Sequence, residues 1–257
     1  MAYAGHIGLC GLRGRRFALI VLAATLAPGA PKASARPASP ATANTGAEPP
    51  AGYVALASAP PQKTVLALPF TGVWGVLQGT NSEGTHQGYA AYALDFVPAE
   101  TPISEDTFNR RKHLDQHPCY GRPILAPADG RVVWARDGAR ELPPFQQSKR
   151  HEAGNFIILQ HTADEFSEFR HLQRGSLSVK LGDSVRAGQT IARCGNSGNA
   201  GTPHLHFAFL GSYRPIATRP LRFSNYEVMT RPNVWQPGDG QPKPGEILRS
   251  LATTNPP

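Results

Sequence analysis

The sequence predicts a mostly β domain of barrel-like or sandwich-like architecture. The prediction rests on the pattern of short apolar runs separated by turn residues. Short apolar runs recur between turn residues, at Thr64–Phe70, Val73–Gln78, Tyr89–Val97, Pro123–Ala135, Asn155–His161 and Glu165–Leu172. The chain has 26 glycines and 25 prolines among its 257 residues, which favours turns and loops over long helices. No stretch shows a sustained helical period. Many short strands with frequent turns are typical of an all-β domain.

Turn residues predict how some of these strands connect. Asp129-Gly130 is a favoured hairpin turn and predicts pairing of the two halves of Pro123–Ala135. The runs on either side of Thr162–Asp164 are expected to pair with each other. Two further turns are predicted at Gly182-Asp183 and Ala187-Gly188.

The N-terminus, residues 1–35, reads as an export signal. A positive region with Arg13, Arg15 and Arg16 precedes the apolar core Phe17–Leu26, and Ala33-Ser34-Ala35 offers a small-X-small cleavage site. We therefore expect an exported protein, located in the periplasm or outside the cell.

The remaining chain divides by composition into three parts. Residues 36–61 are rich in Pro and Ala with few large apolar side chains, which predicts a disordered tether. Residues 62–229 form the expected folded domain, with a polar insertion over 98–121. Residues 230–257 are rich in Pro and Gly and are expected to form a tail.

Charge and cysteine content exclude some classes of partner. The formal net charge of +8 has no basic cluster interleaved with aromatics, so nucleic-acid binding is not expected. After removal of the signal, no segment approaches the roughly 20 apolar residues of a membrane span, so stable membrane insertion is not expected. Cys119 and Cys194 would remain in an oxidising compartment, either as a disulfide or as two unpaired thiols.

The stretch Gly195–Phe209 carries two histidines one residue apart, at the end of a glycine-rich loop. On a strand, His204 and His206 would share a face while Leu205 points away. One imidazole could bind a metal ion while the other moves a proton. Alternatively, both are polar side chains on the wet face of an amphipathic strand.

Three other residues could complete a metal site. Asp95 lies inside an apolar run, where an acid is unfavourable unless it is paired or binds a metal. His86 lies in the glycine-rich loop before that run, and His171 ends another run. Zinc hydrolases commonly use three protein ligands and leave the fourth position for water. Taken singly, Asp95 could face solvent, and each histidine could be an ordinary surface residue.

The order of these motifs resembles the lysostaphin-type zinc metallopeptidases, which cleave peptides of bacterial peptidoglycan. The resemblance covers roughly residues 66–226 and rests on a set of motifs in the family's order, namely YALDF, ADGRVVW, HL, GDSVRAGQTI and PHLHF. It implies the fold of that family, with antiparallel sheets in a hybrid of barrel and sandwich. It also implies an exported zinc metallo-endopeptidase acting on peptidoglycan peptides; its oligomeric state is not predicted.

The resemblance also implies roles for individual residues. His86, Asp95 and His206 would bind one Zn²⁺ per chain, while His171 and His204 would be the catalytic pair. The alternative is a weakly active or inactive relative that binds peptidoglycan or activates another wall hydrolase.

Two departures from the commoner family pattern qualify these roles. Eight residues separate His86 from Asp95, where many members have three, which leaves His113 and His117 as competing ligands. Phe169 stands where many members have a tyrosine whose hydroxyl could hold the oxyanion, and phenylalanine cannot donate that bond. Either another donor substitutes, with Tyr89, Tyr92 and Tyr213 as candidates, or activity is lower.

Overall fold

A computed structural model describes residues 54–55, 59–80, 85–99, 112–148 and 153–251. The predicted signal, nearly all of the predicted tether, the middle of the 98–121 insertion and the last six residues lie outside the described residues. Across the described ranges, no helix combines the length and apolar character that crossing a membrane requires.

The regular secondary structure of the described residues is almost entirely β-strand, as the sequence predicts. The strands are β1 (Val54–Ala55), β2 (Val73–Gln78), β3 (Leu94–Pro98), β4 (Pro123–Leu125), β5 (Gly130–Arg136), β6 (Asn155–Thr162), β7 (Glu165–Leu172), β8 (Ser184–Val185), β9 (Thr190–Arg193), β10 (Leu205–Tyr213), β11 (Ile216–Thr218), β12 (Phe223–Arg231), β13 (Val234–Gly240) and β14 (Ile247–Ser250). Two short 3-10 helices lie at Gly88–Ala90 and Leu114–Gln116.

One large sheet organises the domain. Its strands follow the order β13-β12-β14-β2-β3-β10-β7-β6-β5-β8, and β4 and β9 form a separate two-stranded sheet. Apart from the short parallel pair of β1 and β11, the paired strands run antiparallel. The predicted pairing of the runs around Thr162–Asp164 is confirmed as the β6–β7 hairpin.

Buried apolar side chains pack on both faces of this sheet. The larger cluster contains the aromatic residues Phe70, Phe96, Phe169, Phe207 and Phe223, and a smaller one gathers around Trp134 and Phe156. Burial on both faces explains why every residue of β7 is buried, including its two glutamates and Arg170. Charged residues in such a strand require partners from neighbouring strands and loops.

Three predictions of local structure are wrong. Among the described residues, 64–70 pair only through a bridge from Leu66 to Phe223. The segment makes single backbone hydrogen bonds to β12 on one side and to Leu125 and Pro127 on the other, and Pro69 has no N–H to donate. The run 89–97 begins in a 3-10 helix, so its strand is limited to β3. Asp129-Gly130 does not close a hairpin, since β4 pairs with β9 while β5 pairs with β6 and β8.

The region expected to be a Pro/Gly-rich tail contains strands. The boundary drawn after residue 229 cuts through β12, and β13 and β14 follow it. β14 lies between β12 and β2, so residues beyond 229 extend the same sheet. Short strands interrupted by glycine and proline have little apolar periodicity, and their pairing with a distant strand cannot be inferred from the tail alone.

Cys119 and Cys194 form a disulfide, with their Cα atoms 5.7 Å apart. Of the two alternatives left open by the sequence, the structure therefore contains the cross-link. It joins the C-terminal end of the insertion to the residue that precedes the Gly195–Phe209 stretch.

Candidate metal centre and active site

Neighbouring strands place the central residues of the site side by side. His206 on β10 is the register partner of Asp95 on β3 and of Arg170 on β7. His86 reaches the same point from the loop that follows β2, and its Nδ1 lies 2.9 Å from the carbonyl oxygen of Gly79. The 3-10 helix at Gly88–Ala90 occupies the long interval between His86 and Asp95.

Three histidines lie close to one carboxylate oxygen of Asp95. Asp95 Oδ1 lies 3.1 Å from His86 Nε2, 3.0 Å from His206 Nδ1 and 3.6 Å from His204 Nε2. The ligand atoms of His86, Asp95 and His206 all lie within 4.8 Å of one another, and all three residues are buried.

This donor set fits a tetrahedral zinc ion. With bond lengths of about 2.1 Å, two ligand atoms on one tetrahedral zinc lie about 3.4 Å apart. The distances of 3.0 and 3.1 Å from Asp95 Oδ1 are a few tenths of an ångström shorter, so a small outward shift would seat the ion. Two imidazoles and one carboxylate are also a common ligand set of catalytic zinc.

Backbone carbonyl groups fix the orientation of three of the imidazoles. His86, His171 and His204 each direct Nδ1 at a carbonyl oxygen, of Gly79, Ser197 and Thr202, at 2.9, 2.9 and 2.7 Å. A carbonyl oxygen only accepts hydrogen bonds, so Nδ1 carries a proton in each ring, and Nε2 is the atom left to face a metal ion or a substrate. A carbonyl that fixes the tautomer in this way is typical of the surroundings of metal-binding histidines.

The site is buried, and its electrostatics follow from that. Burial by itself would raise the pKa of Asp95, but the surrounding His204, His86 and His206 hold that pKa well below its usual value. Burial, together with His204 and His206, keeps the pKa of His171 well below its usual value, so this ring is neutral at neutral pH. Burial also lowers the pKa of His206, against the opposing effect of Asp95.

His171 reaches the site because its backbone departs from regular strand geometry. Its φ is 61°, in the left-handed region that non-glycine residues seldom adopt. Phe169 and Leu172 both lie in the larger core cluster, although residues three apart on a regular strand face opposite sides. The left-handed residue between them turns the imidazole towards His204, with 4.9 Å between ring centroids. Such strain is typical of functional positions.

Phe169 does not line this site. Its side chain is fully buried and its ring packs on Phe207, with centroids 5.3 Å apart. Of the proposed replacement donors, Tyr213 lies seven residues beyond His206 on β10, roughly 23 Å along the strand. Within the described residues, Tyr92 makes no hydrogen bond or ring contact with the site residues, and the side chain of Tyr89 lies outside the described part of the structure.

The two competing histidines lie elsewhere. In the described ranges, the cluster able to share an ion consists of His86, Asp95 and His206, and it includes neither His113 nor His117. His113 is exposed and precedes the second 3-10 helix.

Sequence reasoning missed a buried ion pair beside the cluster. Arg170 Nη2 lies 2.8 Å from Glu168 Oε1, and the two side chains are 6% and 2% exposed. Because Arg170 is the cross-strand neighbour of His206, it adds positive charge at the edge of the site. The only signal in the sequence is the density of charge in EFSEFRHL, which is equally typical of a solvent-facing strand.

Comparison with known proteins finds a family match for part of this chain. Residues 111–218 match the model of peptidase family M23. The matched segment contains His171, His204 and His206, whereas His86 and Asp95 precede it.

Two relatives with different described functions illustrate what this chain is similar to. The chain is 36% identical over 91 residues to the peptidoglycan DD-endopeptidase ShyC of Vibrio cholerae, covering 35% of this chain and 19% of ShyC. It is 34% identical over 112 residues to the murein hydrolase activator NlpD of Escherichia coli, covering 44% of this chain and 25% of NlpD. The chain thus spans about a fifth to a quarter of the length of these relatives.

Solved structures that resemble this chain include a zinc-containing peptidase from Vibrio cholerae. That pair has a TM-score of 0.37 and 24% identity, covering 56% of this chain and 36% of the other. The catalytic domain of lysostaphin from Staphylococcus simulans gives a TM-score of 0.31 and 22% identity, covering 59% and 81%.

Proposed function

We propose that this chain is an exported zinc metallo-endopeptidase that hydrolyses peptide bonds in bacterial peptidoglycan. The observation that carries the proposal is that His86 and His206 meet at one carboxylate oxygen of Asp95. His204 and His171 lie beside these three residues. The match of residues 111–218 to peptidase family M23 and the names of the endopeptidase relatives support the same activity and substrate. Export is proposed from the N-terminal signal.

In this proposal the residues divide into ligands and proton-handling groups. His86 Nε2, Asp95 Oδ1 and His206 Nδ1 hold the zinc ion. When bound, zinc lowers the pKa of a coordinated water and polarises the scissile carbonyl group. His204 lies beside these ligands and is not counted among them. Its Nε2 is farther from Asp95 Oδ1, at 3.6 Å, and its Nδ1 donates a hydrogen bond to the carbonyl oxygen of Thr202.

His171 is suited to accept and return a proton. Its low pKa keeps Nε2 free of a proton at neutral pH, while Nδ1 donates to Ser197. A neutral base can take a proton from the attacking water and deliver it to the leaving amine. His204, 4.9 Å away by ring centroids, is placed to orient the water and to donate to the oxyanion.

The second candidate function is that of an activator of another wall hydrolase. The similarity to the murein hydrolase activator NlpD favours it. The complete set of five histidine and aspartate side chains favours the enzyme, because a protein that only binds has no need for a carboxylate buried among histidines.

Digestion of purified peptidoglycan sacculi by this protein alone would test the proposal. We expect zinc-supplemented wild type to release peptides with new amino termini, detectable by mass spectrometry. Asp95→Ala should release none, while Asp164→Asn, which alters an exposed acid, should match wild type. If wild type releases nothing alone but accelerates an added amidase, the activator function is correct and the enzyme proposal is wrong.

A further inference from the structure

Glu141, a residue of the loop after β5, connects two backbone segments beside the active site. Its Oε1 accepts a hydrogen bond from the N–H of Arg174 at 2.7 Å, and its Oε2 accepts one from the N–H of Asn196 at 2.6 Å. Arg174 follows the end of β7, and Asn196 lies in the glycine-rich loop before His204. Hydrogen bonds to an ionised carboxylate are roughly twice as strong as neutral ones.

The segment that Glu141 holds is the one that orients His171. Ser197 follows Asn196, and its carbonyl oxygen accepts the Nδ1–H of His171 at 2.9 Å. The Ser197 hydroxyl donates to the carbonyl of Leu172 at 2.8 Å and accepts from the N–H of Asn155 at 2.9 Å. The peptide that fixes the His171 ring is therefore tied to β6, to the end of β7 and, through Asn196, to Glu141.

The contact between these segments is close and specific. A Cβ at Gly195 would collide with the backbone of Gln173, so the loop approaches the end of β7 as only glycine permits. Asn196 also donates from Nδ2 to the carbonyl of Leu142 at 2.8 Å, and the N–H of Leu142 donates to the carbonyl of Asn196 at 3.2 Å. Glu141 and Leu142 thus hold Asn196 through three of its polar groups.

We propose that Glu141 is a positioning residue for the reaction: it holds the Asn196–Ser197 backbone in the place where the Ser197 carbonyl can orient His171. This inference rests on the proposed function, because it assigns Glu141 a role in that same site. The hydrogen bonds of the Glu141 carboxylate go to Arg174 and Asn196 and to none of the five site residues, so its effect on His171 is transmitted through Ser197.

The electrostatic setting of Glu141 accompanies this geometry. Burial raises the pKa of Glu141, the hydrogen bonds from Arg174 and Asn196 oppose this only in part, and nearby Asp137 adds to the rise. The two backbone hydrogen bonds are therefore the interactions that favour the ionised carboxylate at this position.

The test compares Glu141→Ala with Glu246→Gln in the purified full chain. Glu246 is a matched control because it also accepts a backbone N–H, from Lys243 at 2.9 Å, but in a turn between β13 and β14. We expect Glu141→Ala to lower kcat on a soluble peptidoglycan peptide about tenfold to a hundredfold, with a smaller change in KM. Zinc content should equal that of wild type, and Glu246→Gln should leave kcat unchanged.

A second measurement does not depend on activity. The Nδ1–H resonance of His171 in ¹⁵N-labelled protein should be protected from solvent exchange in wild type and in Glu246→Gln, and should exchange faster in Glu141→Ala. If Glu141→Ala keeps the wild-type kcat and the wild-type His171 signal, the inference is wrong. If wild type itself has no hydrolytic activity, the proposed function fails, while the His171 signal still decides the inference about Glu141.

Discussion

Glu165 and Glu141 each accept hydrogen bonds from two backbone N–H groups, but they hold different segments in opposite electrostatic settings. Glu165 binds the N–H groups of Lys63 and Thr64 at 2.7 and 2.8 Å, where the chain enters the domain, and pairs with Arg219 at 3.5 Å. Glu141 binds the loop that precedes His204 and forms no ion pair within the described residues.

The pKa values of the two carboxyl groups reflect this difference. Burial would raise the pKa of Glu165, but hydrogen bonds from Thr64 and Lys63 and the charge of Arg219 bring it below its usual value. Burial raises the pKa of Glu141 and is not fully offset. The charge of Glu165 is compensated by Arg219, whereas the charge of Glu141, next to the Gly195–Phe209 stretch, is not compensated by a cation of the described residues.

The largest effect on stability is expected from Glu165→Ala. This change leaves the Arg219 guanidinium, in a residue 3% exposed, without its carboxylate and removes the acceptor of Lys63 and Thr64. Breaking a buried pair by removing one partner costs about 3–5 kcal/mol. Urea denaturation should detect this loss, and the neighbouring exposed Asp164→Ala should leave the midpoint almost unchanged. Equal effects of the two variants would contradict the account.

The disulfide is a second attachment of the Gly195–Phe209 stretch, and its removal should have the next largest effect on stability. Cys119→Ala with Cys194→Ala opens a cross-link between residues 75 apart in sequence, directly before Gly195. Loss of such a link costs about 2–5 kcal/mol, mainly because the unfolded chain gains freedom. The free energy of unfolding of the double variant should fall by this amount. Wild type treated with a reductant under denaturing conditions and refolded in its presence should show the same loss.

The smallest expected effects concern the free energy of unfolding, to which Glu165 and Glu141 should contribute with opposite dependences on pH. Glu165, with its lowered folded pKa, contributes stability above its unfolded pKa, and this is lost as pH falls through the folded pKa. Glu141, with its raised folded pKa, opposes folding above that pKa, and this opposition disappears as pH falls through it.

These signs separate Glu165→Gln from Glu141→Gln. The deficit of Glu165→Gln relative to wild type should shrink as pH is lowered from about 7 to about 3. Glu141→Gln should be within about 1 kcal/mol of wild type at neutral pH and should become relatively less stable in acid. Unfolding free energies measured across this range check both, and parallel curves for the two variants would contradict the comparison.

Much of the site was predictable because some of its residues stand out from the local sequence and all five occur in the order of one known family. Asp95 interrupts an apolar run, and His204 and His206 follow a glycine-rich loop. The five residues matched one family as an ordered set, and the structure brings them together. Their roles remain a proposal.

The supporting residues could not be predicted, because their partners are distant in sequence and their own surroundings look ordinary. Glu141 lies in a polar loop, and its partner Asn196 is 55 positions away. Glu165, Glu168 and Arg170 give β7 the texture of an exposed strand, yet the whole strand is buried. The left-handed backbone of His171 leaves no mark in the sequence, since glycine does not occupy the position. The strands beyond residue 229 depend on pairing with β2.

The division of roles between His204 and His206 is the central claim, and their zinc content tests it most directly. The two residues are equally buried, at 8% exposure each, so His204→Ala and His206→Ala form a matched pair. Elemental analysis of the purified variants should find about one zinc per chain in His204→Ala and little in His206→Ala, with sacculus digestion abolished in both. Zinc retained by His206→Ala, or lost from His204→Ala, would contradict the account.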